Sequence, residues 1–391
     1  MSTLLLRSSW QTINIGDIAH TPGMLALLEH YLPDTEVILW ASSVDNGVDE
    51  LLHRSFPRLR RTVAGSPETP AIQEAFAEAD FFLHGSGASV VAEAHMAAWR
   101  TQTGKPYGVY GVTIGAVSDA LRDLLSGADF VFCRDTVSLQ VARDAGVRCP
   151  VLEFTPDATF AFSLRDDVAA KAYLDAVGLK SGSFLCAIPR LRYTPYHQLR
   201  QTNWTPEWIA TVERTNAETR ENDHAKLREV IVRWVRETGL KVLACPEMTY
   251  QIPIAKELLV DPLPNDVRSQ VIWRDTYWKP DEAASVYAHA RAVVSFEMHS
   301  PILAFTVDTP AFYLRQPTDT SKGQMWRDIG LNRWIFEIDS VTGADIYTVL
   351  HDLHTAPDAA QRTLTHAQEF VRQRQQETSG FVAQSMERVA G

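Results

Sequence analysis

Apolar residues gather along the chain in short runs bounded by turn residues, and longer helix-prone stretches separate the runs. That alternation predicts parallel α/β units. A first set of strands is expected at residues 4–6, 37–41, 81–83, 108–112, 130–133 and 151–154, with helices at 21–31, 72–78, 90–100 and 136–145 among them. Gly146 follows the last of these helices, where a helix-ending glycine belongs. A second set begins after about residue 181, with strands at 184–188, 242–245, 271–273, 292–296, 311–314 and 335–338 and helices at 226–237, 252–259, 281–290 and 301–307. Runs such as Val242-Leu243-Ala244-Cys245 carry no polar alternation, so both faces of the strand are expected under helices.

Two sets of similar size and grammar predict an α/β chain of two Rossmann-like, doubly wound domains facing across a cleft. The first domain is expected over residues 1–178 and the second over 179–357, with a hinge in 163–182 and a polar, helix-prone tail over 358–391 that packs back on the lobes. Residues 189–223 show no clear period and hold Arg190, Arg192, Tyr193, Tyr196, His197, Trp204 and Trp208. An irregular insertion of this length inside a compact domain reads as a flap over the cleft, or as a partly ordered surface loop.

Bulk composition narrows the function classes. At 391 residues the chain exceeds what one core usually supports, and 45% hydrophobic with 22% charged residues is ordinary for a globular protein. A formal net charge of −11 argues against a nucleic-acid surface but leaves room for a local basic pocket holding an anionic small ligand. Cys133, Cys149, Cys186 and Cys245 lie far apart with no metal-ligand spacing, so buried free thiols and no metal site are expected. No apolar stretch approaches the ~20 residues of a membrane helix, and the Leu4-Leu5-Leu6 run is too short for a signal core. A cytoplasmic protein is the expectation.

In parallel α/β sheets ligands sit beyond the carboxyl ends of strands, so those junctions hold the candidate chemistry. Asn14-Ile15-Gly16-Asp17 follows the first strand, where Gly16 lets backbone approach a ligand and Asn14 and Asp17 suit acceptor hydroxyls; capping of the turn by Asp17 is the alternative. His84-Gly85-Ser86-Gly87 forms a glycine-rich turn after the strand at 81–83 but lacks a dinucleotide or phosphate-loop spacing. Arg134-Asp135, at the end of the strand at 130–133, reads as an internal pair holding its turn. Glu297-Met298-His299-Ser300-Pro301 is the sharpest constellation, with Pro301 at a favoured helix start. If residues 297–299 are extended, Glu297 and His299 project to one side, and the carboxylate favours a charged imidazole suited to general-acid work. Lys322 adds positive charge for an anionic ligand.

Taken in order, these junctions resemble the polysaccharide pyruvyl transferase family. The resemblance runs from Asn14 to about Leu331 through Asn14-x-Gly16-Asp17, Asp80 to Gly87, Arg134-Asp135-x-x-Ser138, Pro156-Asp157-Ala158, Arg190, Glu297-Met298-His299-Ser300 and Lys322 with Asp328-Ile329-Gly330-Leu331. It implies the GT-B-like arrangement and the transfer of a pyruvyl group from phosphoenolpyruvate to two sugar hydroxyls as a cyclic ketal, in exopolysaccharide biosynthesis. By position, His299 with Glu297 is the implied catalytic pair. Arg190, Arg192, Lys322 and Ser300 are implied on the donor side. Asn14, Gly16, Asp17, His84, Gly85, Ser86, Gly87 and Arg134 are implied on the acceptor side. The reaction implied needs no metal or organic cofactor, phosphoenolpyruvate being a co-substrate, and its partners are a saccharide or glycan precursor and an anionic donor. Glu297 stands where many members carry arginine. Two other readings share the fold: a glycosyltransferase holding a nucleotide sugar at the helix start near Ser300, and a non-catalytic carbohydrate-binding relative.

Overall fold

In a computed structural model, which describes residues 2–43 and 45–390, the chain divides into two compact units. The first comprises residues 1–164, 320–330 and 367–391; the second comprises 165–319 and 331–366.

The first unit is built on a seven-stranded sheet in the order β3-β2-β1-β4-β5-β6-β7, formed by β1 (Thr3–Arg7), β2 (Glu36–Ala41), β3 (Leu59–Ala64), β4 (Phe81–His84), β5 (Tyr107–Val112), β6 (Phe130–Cys133) and β7 (Val151–Phe154). Its strand pairs run parallel, and β1 aligns Arg7 with His84 of β4. Alternate residues of β1 feed two cores, Leu5 with Trp40, Phe82 and Trp99 on one face and Leu4 and Leu6 with Leu39, Phe81 and Phe132 on the other. Strand β3 is absent from the sequence expectation because it is an edge strand whose middle residues, Arg60 to Thr62, lie partly exposed and break the apolar run. One helix deserves its residues: in Ile15–Tyr31, Gly23 packs so closely that a Cβ there would stand 2.2 Å from the Ala158 carbonyl oxygen.

The second unit carries a six-stranded sheet in the order β10-β9-β8-β11-β12-β13, made of β8 (Phe184–Ile188), β9 (Lys241–Ala244), β10 (Val271–Trp273), β11 (Ala292–Ser295), β12 (Ala311–Arg315) and β13 (Ile335–Glu337), again paired in parallel. The helix Asp167–Val177, assigned to the first domain by the sequence pattern, belongs to this unit: the Arg165 guanidinium and the Asp166 N–H both donate to Ser285 Oγ, at 3.0 and 2.9 Å.

The irregular insertion expected through residue 223 is largely helix. One helix, Pro206–Thr238, starts with Pro206 in its first turn and the Thr205 hydroxyl accepting the Trp208 N–H. Its buried positions include Val212, Leu227, Val230, Ile231 and Trp234 at helical spacing, with Asn216 and Asp223 at two core-facing positions. Those two polar residues hide the periodicity. Asn216 instead receives the Tyr193 N–H and donates to the Tyr193 carbonyl, at 2.9 and 2.8 Å.

From Ala367 the helix Pro357–Ala390 belongs to the first unit, where Thr378 exchanges a 3.0 Å hydrogen bond with the Tyr110 hydroxyl. The four cysteines are free, three of them buried and Cys149 partly so. Among the described residues no helix is long and apolar enough to cross a membrane.

Candidate functional site

In the second unit the strand order reverses direction at β8, flanked by β9 and β11, and the loops beyond these strands carry a connected polar cluster. Strand β11 ends at Ser295, whose hydroxyl accepts the Glu297 N–H at 2.9 Å, and the helix His299–Phe305 follows. Met298 between them has helical torsions, φ −86° and ψ −32°. The stretch 297–299 is therefore not extended, the condition under which Glu297 and His299 were expected to project to one side.

A different carboxylate stands by the imidazole. Glu247, fully buried in the loop after β9, places Oε1 3.7 Å from His299 Nδ1. Its other oxygen, Oε2, accepts the Ser300 N–H at 2.6 Å and the Ser300 hydroxyl at 2.7 Å. The Tyr287 hydroxyl donates to Ser300 Oγ at 3.2 Å, so Ser300 is locked on both sides. Gln251 ties the cluster together: its Oε1 accepts the Glu247 N–H at 2.7 Å, and its Nε2 donates to Glu297 Oε1 at 2.7 Å. A carboxylate held this firmly beside a histidine favours the imidazolium by charge, at a separation too long for a direct hydrogen bond.

Glu297 belongs to a second group. Arg190, beyond β8, places Nε 3.2 Å from Glu297 and Nη1 2.5 Å from Asp319, and Nη1 also donates to Gln316 Oε1 at 3.0 Å. Burial by itself lowers the guanidinium pKa; the Asp319 and Glu297 carboxylates outweigh it and hold it well above its ordinary value. Tyr313 donates to the same Asp319 at 2.5 Å. Arg192 is engaged more fully still, with Asp223 at 2.8 Å on both Nε and Nη2 and with Asp339. Each of the two candidate donor arginines thus serves two carboxylates. Lys322 is part of the first unit with the rest of residues 320–330, where Ser321 donates to Asp135 Oδ2 at 3.1 Å and the Thr136 hydroxyl to Asp328 Oδ1 at 2.8 Å.

In the first unit Asn14 caps the helix Ile15–Tyr31, its side chain accepting the Gly16 and Asp17 N–H groups, and Asp17 receives the Ser9 hydroxyl at 3.3 Å. His84 is fully buried; Nδ1 donates to the Gly85 carbonyl at 2.7 Å, Nε2 accepts the Ala92 N–H, and burial lowers its pKa to about 4. Ser86 exchanges a 2.7 Å hydrogen bond with Nδ1 of His20, which lies 3.2 Å from Asp157. Arg134 does not pair with Asp135. It donates through Nη1 to Asp157 at 2.8 Å and through Nε to Thr113 at 2.6 Å, while Asp135 accepts the Ser138 N–H as the cap of the next helix. A short side chain at the head of a helix satisfies its free N–H groups better than it reaches back one residue to its neighbour.

Comparison with known proteins places this arrangement. The sequence model described as polysaccharide pyruvyl transferase matches residues 14–316. The chain belongs to that family. It is a transferase, with two Rossmann-like units of the GT-B-like class. No curated protein matches the transferase at a significant level. Similar solved structures are a co-structure of S. aureus MnaA with UDP (11% identity, TM-score 0.57, covering 94% of this chain and 91% of that one) and a UGT transferase from Siraitia grosvenorii in complex with UDP (10%, 0.57, all of both chains). E. coli ADP-heptose LPS heptosyltransferase II is a third (13%, 0.53, 92% of this chain and all of that one). At these identities the likeness is one of fold.

Within the transferase, His299, Ser300, Glu297 and Arg190 come together at the strand ends of the second unit, and Ser86 and Arg134 join one buried network in the first through Asp157. Glu247, Gln251, Asp319, Asp157 and His20 complete these networks and were not candidates. Glu247 had a readable signal: it follows Cys245-Pro246 at a strand-to-helix junction, the same kind of place that drew attention to His299. His20 and Gln251 sit inside helical stretches, where nothing in their neighbours marks them.

Proposed function

We propose that this transferase moves a pyruvyl group from phosphoenolpyruvate onto two hydroxyls of a saccharide, closing a cyclic ketal, and that His299 protonates the donor's methylene carbon. The observation that carries the reading is the backing of His299 by Glu247, a fully buried carboxylate 3.7 Å from Nδ1 that Ser300 and Gln251 hold in place. An imidazolium stabilised in this way is a competent acid near neutral pH.

Protonation of the enol carbon makes the methyl group and leaves an oxocarbenium-like centre at the neighbouring carbon. One sugar hydroxyl attacks that centre, phosphate departs, and the second hydroxyl closes the ring. Two hydroxyl protons are lost; one replaces the proton that His299 gave, and the other leaves on phosphate, so the balance closes without a redox partner or an organic cofactor.

Arg190 is the donor contact in this reading, a cation positioned by Glu297, Asp319 and Gln316. Ser300 works one step back, by fixing Glu247. The acceptor, a saccharide or glycan precursor of an exported polysaccharide, is assigned to the strand ends of the first unit around Asn14, Asp17 and Ser86.

Calorimetric titration with phosphoenolpyruvate, run beside UDP because similar folds bind it, tests the donor. Saturable phosphoenolpyruvate binding that weakens in Arg190→Ala supports pyruvyl transfer. Binding of UDP alone would move the chemistry to glycosyl transfer.

A further inference from the structure

Among its described residues the first unit holds a buried cation that no carboxylate balances. Arg7 ends β1, the strand at which the order of the seven-stranded sheet reverses, between β2 and β4. Its side chain is only 7% exposed. Nη1 donates to the Trp40 carbonyl at 2.9 Å and Nη2 to the Ser42 hydroxyl at 2.7 Å, while Nε is buried with no hydrogen-bond partner among the described residues. No acid lies within ion-pair distance of it among those residues, and burial is the one influence on its pKa, lowering it to about 10. This differs from the unit's other fully buried arginine, Arg134, which pairs with Asp157 at 2.8 Å.

The surroundings offer donors and no anion. His84, aligned with Arg7 across the β1–β4 pair, and His95, stacked on Trp40 with ring centroids 4.1 Å apart, are both held neutral with pKa near 4, by burial first and then by the charge of Arg7. The buried Nδ1 of His95 has no hydrogen-bond partner among the described residues. Ser42 spends an oxygen lone pair on Arg7 and keeps its own proton to give; it is exposed, so the guanidinium lies just under the surface at the carboxyl edge of the sheet. An uncompensated charge in such a place is unfavourable unless something pairs with it. The strand reversal is also where doubly wound sheets take their ligands.

We infer that Arg7, with Ser42 and His95, forms an oxyanion subsite that binds a phosphate or carboxylate group of a ligand held by the first unit. Arg7 supplies the charge and Nε and the Ser42 hydroxyl a second donor, with the neutral His95 ring beside them. The inference does not depend on pyruvyl transfer.

The test is calorimetric titration of the full chain with inorganic phosphate and, separately, with glucuronate, in wild type, Arg7→Met and Ser42→Ala. One-site binding of phosphate or of glucuronate is expected, and whichever binds more tightly names the group. Arg7→Met should weaken that binding by at least about tenfold and Ser42→Ala, an exposed change that spares the fold, by roughly two- to tenfold. Without anion, Arg7→Met should melt no lower than wild type, since it removes an unbalanced buried charge. Failure of both anions to bind, or unchanged affinity in Arg7→Met, would overturn the inference. So would a melting point more than about 5 °C lower in Arg7→Met, which would make Arg7 a strut between β1 and Trp40.

Discussion

Replacing Glu247 by Gln isolates the charge beside His299 from the shape of the loop that carries it. The separation of 3.7 Å gives the pair an attraction of roughly 4 kcal/mol at an effective dielectric near 20, a value suited to groups so little exposed. The amide keeps an acceptor for the Ser300 N–H, so the fold loses part of two charge-assisted hydrogen bonds and regains the desolvation of a buried carboxylate. Stability should therefore move by less than about 2 kcal/mol, while kcat falls by about 10² to 10³. Phosphate release from phosphoenolpyruvate with saturating acceptor reads the first-order rate, and urea unfolding reads the stability. Glu297→Gln is the paired variant; because Glu297 pairs with Arg190, its kcat should fall less than about tenfold. Wild-type kcat in Glu247→Gln, or a larger loss in Glu297→Gln, would refute the assignment of the carboxylates.

Three further outcomes follow from burial and packing. Arg190→Met leaves Glu297 and Asp319 buried without their cation and should destabilise the chain by about 3–5 kcal/mol in urea unfolding, whereas Glu297→Gln, which leaves an Arg190–Asp319 pair, should cost less than half of that. His224 is fully buried with its pKa lowered by that burial to about 4, below the ordinary 6.5; its contribution is present above pH 6.5 and is lost as pH falls toward 4, by about 3 kcal/mol. Urea unfolding of His224→Gln between pH 7 and pH 4 should accordingly show a shallower acid loss than wild type. Gly23→Ala forces a Cβ against the Ala158 carbonyl oxygen, 2.2 Å away on the present backbone, and should lower stability by about 1–3 kcal/mol in the same assay.

The strands were legible because a parallel sheet covered on both faces demands unbroken apolar runs, and β8, β11 and β12 each present one. Edge strand β3 escaped for the opposite reason, since Arg60 and Arg61 reach Glu36 and Glu78 at the surface. The helix Pro206–Thr238 escaped because Asn216 and Asp223 occupy core-facing positions, where they serve Tyr193 and Arg192. The candidate site was legible as a set of junctions, and His299 and Arg190 do stand at neighbouring strand ends. Which carboxylate serves which cation was not legible. That depends on one residue: with Met298 in a helical conformation Glu297 turns to Arg190, and Glu247, 52 positions earlier in the chain than His299, takes the imidazole. Sequence adjacency does not reveal Glu247 because the sheet brings together the ends of strands far apart in the chain.

In the proposed reaction His299 delivers the proton that makes the pyruvyl methyl group. Turnover of phosphoenolpyruvate and a saccharide acceptor in deuterated water, by wild type and by His299→Ala, tests it most directly. The wild type should place one solvent deuteron in each product methyl group, and His299→Ala, with an unchanged unfolding curve, should turn over at a rate lower by at least about 10². Ketal formed by His299→Ala at the wild-type rate would contradict it.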